Sequence, residues 1–93
     1  MALYLLSALG DVSSFDDACA VIGDRLRSSA VLGDPADMVN VTPEGMLSDG
    51  PVSDLVLPGA CWLIDATTRS EAEAVAVRVA STVKAHVELR ETV

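Results

Sequence analysis

Five side chains in this sequence have the chemistry to hold or transform a ligand: Asp49, His86, Tyr4, Trp62 and Arg90. Asp49 opens an Asp-Gly-Pro turn. Its carboxylate can serve as a general acid or base, or it can accept backbone amides in an Asx-type turn. His86 is the single histidine, the side-chain type whose unperturbed pKa lies near neutrality, and it serves either as a proton carrier or as a surface or interface residue. Arg90 can receive a carboxylate or phenolate, or pair with Glu88 or Glu91 beside it. Trp62 can stack on a flat ligand or fill the core, and the Tyr4 phenol can donate to a bound oxygen or to a backbone partner. Asp49 and His86 are thus the candidate catalytic residues, and Tyr4, Trp62 and Arg90 the candidate ligand-binding ones.

Other chemistries lack their residues. One histidine and scattered carboxylates make no metal-ligand cluster, no glycine-rich phosphate loop leads into a helix, and no spacing suggests a Ser-His-Asp set. No metal or cofactor is therefore expected. Cys19 and Cys61 stand in apolar runs without CxxC spacing and read as small buried hydrophobes. Six Lys plus Arg against fourteen Asp plus Glu give a formal charge of −8, which opposes a phosphate backbone, so nucleic acid is not an expected partner. The chain has no apolar run of the roughly 18 residues a membrane span needs. Residues 1–9 also lack the charged and cleavage regions of a signal peptide, so a cytoplasmic location is expected.

The elements that must position these residues follow from periodicity. Residues 2–8 form a short apolar run bounded by Gly10-Asp11, which predicts a central strand. Ser13 or Ser14 caps a helix beginning at Phe15, with Asp16 and Asp17 in its first turn. Its apolar stripe is Phe15, Ala18, Cys19, Ile22, Leu26 and Ser29 or Ala30, with Asp16, Asp24, Arg27 and Ser28 on the opposite side. Gly33-Asp34-Pro35 ends it. Residues 37–41 and 45–48 flank Thr42-Pro43-Glu44 and predict a hairpin. Residues 60–66 are apolar at both parities, as in a strand covered on both faces. Thr68-Arg69-Ser70-Glu71 is a capping box opening a second helix, whose inner stripe is Ala72, Val75, Ala76, Val79 and Val83. Residues 85–91 alternate, with Val87 and Leu89 on one face and His86, Glu88 and Arg90 on the other. No repeat, low-complexity segment or linker interrupts residues 1–93, which read as one domain.

Strand, helix, hairpin strands, strand, helix, strand is the split βαβ order of an α+β, ferredoxin-like domain, with two helices on one face of an antiparallel sheet. The central strands are apolar on both faces, so the face without helices needs a cover. A second copy is the simplest one. The expectation is a homodimer, sheet against sheet, enclosing a cavity.

Leu47-Ser48-Asp49-Gly50-Pro51, then Gly59-Ala60-Cys61-Trp62-Leu63-Ile64-Asp65, Glu71-Ala72 and Val87-Glu88-Leu89-Arg90 together resemble the YCII-related family of the DGPF type. The resemblance covers the second half of the chain. It implies a ferredoxin-like domain pairing into a dimeric α+β barrel, and it carries the family's aspartate onto Asp49 at the mouth of the cavity and its arginine onto Arg90. Val52 replaces the family's phenylalanine and Ala60 its second glycine, and nothing in the first helix matches the histidine that YCII-type members pair with the aspartate. The functional expectation is a cavity that binds an organic small molecule, with or without a cofactor-free cyclisation, isomerisation, lyase or oxygenation step. The alternatives are a non-catalytic accessory or regulatory protein acting through a protein partner, and a purely structural oligomer.

Overall fold

A computed structural model describes residues 2–50 and 57–93 of the chain; Pro51 and Val52, the end of the Asp-Gly-Pro turn and the residue after it, lie outside the described residues. Among the described residues the order is β1 (Ala2–Leu9), α1 (Phe15–Ile22), β2 (Leu26–Val31), β3 (Val39–Val41), β4 (Leu47–Asp49), β5 (Pro58–Ala66), α2 (Arg69–Val83) and β6 (Val87–Glu91). Four strands form one antiparallel sheet in the order β2-β5-β1-β6, and β3 and β4 form a separate two-stranded sheet. The architecture is α+β with two helices and an antiparallel sheet, compatible with the ferredoxin-like arrangement.

The period of two along β1 and β5 decides where the core lies. Tyr4, Leu6, Ala8, Ala60, Trp62, Ile64 and Ala66 face one way and are buried together with Ala18 and Ile22 of α1 and Ala72, Val75, Val79 and Val83 of α2. β6 adds Val87 and Leu89, directly opposite Ala8 and Leu6. With few aromatic residues available, the large core contact is Phe15 stacked on Trp62, ring centroids 5.5 Å apart and planes inclined by 20°. Gly59 holds the entry of β5 close to the β1–α1 turn, because a Cβ there would collide with the Gly10 carbonyl oxygen.

The capping box of α2 is formed as its spacing predicts. Thr68 Oγ1 accepts from the Glu71 amide at 3.2 Å, while Glu71 Oε2 accepts from the amides of Thr67 and Thr68 at 2.9 and 3.2 Å. At α1 the expected cap is different: Ser14 occupies the N-cap in a left-handed conformation, φ 60°, with no side-chain capping bond.

Two expectations are corrected. The first helix does not continue through Leu26 to the Gly33-Asp34-Pro35 break. It ends at Ile22, where Gly23 takes φ 65° and ψ −133°, a conformation closed to most L-residues. A single 3-10 turn, Gly23–Arg25, then reverses the chain into β2. The apolar stripe Phe15, Ala18, Cys19, Ile22 is helical, but its apparent extension through Leu26 is a strand start falling in phase with it. The second correction follows from the first. The expected hairpin forms with shorter strands, Val39–Val41 and Leu47–Asp49, Asp37 lying instead in a 3-10 turn. It is closed by Thr42, whose carbonyl accepts from the Gly45 amide at 2.8 Å and whose Oγ1 accepts from the Met46 amide at 3.1 Å. Its strands nonetheless stay out of the main sheet, because β2 already occupies the edge beside β5. With Arg27, Ser28 and Ser29 exposed, β2 is a polar edge of the kind that discourages further pairing.

Candidate functional site

The second face of the sheet carries the residues of opposite parity, and register aligns them into rows. Ser28, Leu63, Leu5 and Arg90 lie side by side across β2, β5, β1 and β6; Ala30, Cys61, Ser7 and Glu88 form the next row; and Asp65 stands opposite Leu3. Leu5, Leu63 and Cys61 are half-buried, and Leu3 is 38% exposed. Both helices bury their stripes on the other side. The expected two-sided apolar character of the central strands is present, and on this side no element of the described residues closes over it.

One ion pair interrupts the apolar surface. Asp65 is only 8% exposed, and a carboxylate so placed on a strand needs a counter-charge. Arg27 supplies it through Nη2 on Asp65 Oδ2. The register between β2 and β5 shifts between Leu26 and Ser28, a bulge that frees Arg27 from the ladder and re-aims it. The Arg27 Nη1 group also donates to the carbonyl oxygens of Asp24 at 3.0 Å and Leu26 at 3.4 Å. The guanidinium is held on three acceptors, with its side chain still 46% exposed. Sequence reasoning put Arg27 on the wet side of a long helix and so missed this pair. The available signal was Asp65 itself, a carboxylate inside an otherwise apolar strand.

The five predicted residues are distributed over the molecule. Arg90 lies on the open face at the β6 edge, directly opposite Leu5. Tyr4 and Trp62 point the other way, into the helix-covered core, with Trp62 fully buried. The Trp62 Nε1 has no hydrogen-bond partner among the described residues. Burial pushes the Tyr4 phenol above its ordinary value, and the charge and hydrogen bond of Glu91, its cross-strand neighbour, push the same way. Asp49 ends β4 opposite Val39 and is exposed on the hairpin. His86 is exposed just before β6, its carbonyl accepting from the Leu9 amide at 2.9 Å; Lys84 and Ala80 share a shallow depression with it. No hydrogen bond or ion pair among the described residues joins Asp49 to His86.

A groove of about 380 Å³ lies elsewhere, at the base of the hairpin, between Leu32, Pro35, Met38, Leu57 and Pro58. None of the five residues lines it. Among the described residues no three His, Cys, Asp or Glu side chains gather as metal ligands, and no helix is long and apolar enough to cross a membrane. No family model and no curated protein matches the chain.

Proposed function

We propose that two copies of this chain stack their open sheet faces as a homodimeric α+β barrel, of the YCII-related DGPF type that its second half resembles, and bind an organic small molecule between them. The observation that carries this reading is the row Leu5–Leu63 with Leu3 and Cys61, an apolar surface on the helix-free side of the sheet. Such a surface is normally covered, and a two-fold axis covers both copies at once. A ligand between the faces would rest its apolar body on Leu5 and Leu63 and meet polar groups at the edges, Arg90 on one side and the Arg27–Asp65 pair on the other. Asp49, on the separate hairpin sheet, and His86, before β6 beside Ala80 and Lys84, stand outside the rows of this face, so the reading is of ligand binding and assigns them no proton-transfer step.

A second reading has its own observation. On the hairpin Val39, Val41, Met46 and Leu47 are each more than half exposed, and a two-stranded sheet of three residues per strand is marginal without packing. An accessory role would use this hairpin against a protein partner. Native mass spectrometry of protein isolated gently from its own host separates the two. A dimer retaining a bound organic mass supports the cavity reading. An empty dimer that co-purifies stoichiometrically with another protein, and loses it on Val41→Asp/Leu47→Asp, supports the accessory one. A monomer at micromolar concentration overturns the stacked-sheet dimer.

A further inference from the structure

Resting on the reading of the open face as the ligand surface, we infer that Arg27 is the residue that selects the ligand, and that the ligand is an amphipathic organic acid: an apolar body over Leu5 and Leu63 with an oxyanion on the Arg27 guanidinium. A guanidinium has five N–H donors in a fixed planar fork. Here one terminal nitrogen is engaged by Asp65 and the other by the carbonyls of Asp24 and Leu26. That leaves the Nε–H and one Nη2–H with no acceptor among the described residues. Three anchors remove most of the rotamer freedom that an arginine ordinarily loses on binding, so the remaining donors are pre-positioned.

Position supports the same conclusion. Arg27 sits in the bulge of β2, beside the row Ser28–Leu63–Leu5–Arg90, so the apolar centre of the face is flanked by one guanidinium held in place and another across the sheet. Leu5 and Leu63 offer no hydrogen bonds of their own. A ligand gripping them must therefore place its polar end at an edge, and the β2 edge presents unused donors. A charge-assisted bond from arginine to an oxyanion is both short and strong. The chain's overall charge of −8 opposes an anion at long range, but screening confines that field to about 8 to 10 Å at ordinary ionic strength, whereas the donors act in direct contact. Asp65 acts here as a positioning residue, fixing the guanidinium plane.

The test uses two fluorescent probes that differ by one group: 8-anilinonaphthalene-1-sulfonate, an amphipathic anion, and N-phenyl-1-naphthylamine, the same skeleton without the sulfonate. The full chain is titrated with each. Because Arg27→Gln alone strands a buried carboxylate, the variants are Arg27→Gln/Asp65→Asn and Arg27→Lys, with Trp62 fluorescence reporting an intact core in each. The expected result is an affinity for the sulfonate probe about tenfold weaker in the double variant, intermediate in Arg27→Lys, and an affinity for the neutral probe unchanged within about twofold. Equal weakening of both probes, or weakening of neither, overturns the role of Arg27 while leaving the apolar face as a binding surface. If wild-type protein binds neither probe, or if Leu63→Asp leaves both affinities intact, the open-face reading itself fails and this inference with it.

Discussion

Glu71 does two jobs with one carboxylate. Its Oε2 caps the first turn of α2, and its Oε1 accepts from Arg25 Nη2 at 2.6 Å, tying the helix to the turn that follows α1. The Arg25 hydrogen bond is the main reason its carboxyl is held below the ordinary 4.5; burial opposes the shift, and the amides of Thr67 and Thr68 reinforce it. A folded pKa below the unfolded one means stability that is present above the unfolded value and lost as pH falls through the folded one. Glu71→Gln should therefore lower Tm at neutral pH, and the gap to wild type should close as the pH drops below about 4. Tyr4 titrates in the opposite sense. Burial, then Glu91, raises its phenol above 10.0, so its contribution is complete below that value and is lost as pH climbs through the folded pKa. Because Tyr4 is the single tyrosine, the ultraviolet absorption of phenolate reports on it alone. In folded protein the midpoint of that signal should lie above its midpoint in urea, where the phenol is free of burial and of Glu91. At this scale the sequence was legible where a local pattern names both partners, as in Thr68 and Glu71. It was silent on Arg27 with Asp65, and on Arg25 with Glu71, because those pairs join residues far apart along the chain.

Among the elements, the passage from α1 to β2 is where local pattern and fold diverge. The stripe Phe15, Ala18, Cys19, Ile22, Leu26 satisfies helical periodicity, yet Gly23 stops the helix within it. The space around Gly23 is open, so only its backbone conformation resists substitution. Gly23→Ala is expected to destabilise by about 1 to 3 kcal/mol, read as a lower urea midpoint at unchanged slope. A loss well below that range would mean the chain can turn into β2 by another route. The remaining elements were readable for physical reasons. Period two marks β1 and β5, the capping box fixes the start of α2, and alternation marks β6. The hairpin was readable as a unit from its turn, but which sheet it joins depends on competition for the β5 edge. That competition was decided by β2, a segment whose own pattern is too polar to announce a strand.

For the molecule as a whole, the uncovered side of the sheet is the surface on which the proposed dimer depends. Leu63 lies at its centre, between Ser28 and Leu5. Leu63→Glu should convert the proposed dimer into a monomer by light scattering, with far-UV circular dichroism unchanged because the side chain points away from the helices. A dimer that survives this change would have to assemble through another surface. Since each copy carries −8, added salt should tighten the proposed dimer by screening the repulsion between copies. The hairpin enters the same account: a radius of gyration of 14.5 Å exceeds the roughly 12 to 13 Å of a compact chain this size, as expected when a hairpin packs mainly on itself.

The sequence by itself determined the α+β class, the central strands, the capped second helix, the hairpin turn and the two-faced apolar character of the sheet. Each of these is written in residues within a few positions of one another, where strand and helix periods and capping geometry act. Only the tertiary structure decided that residues 26–31 form an edge strand, that Tyr4 and Trp62 belong to the core while Arg90 faces the open side, and that Arg27 reaches Asp65. Those outcomes turn on register between distant segments. A shift of one residue exchanges the faces of a strand, and no local pattern records which partner a strand will find.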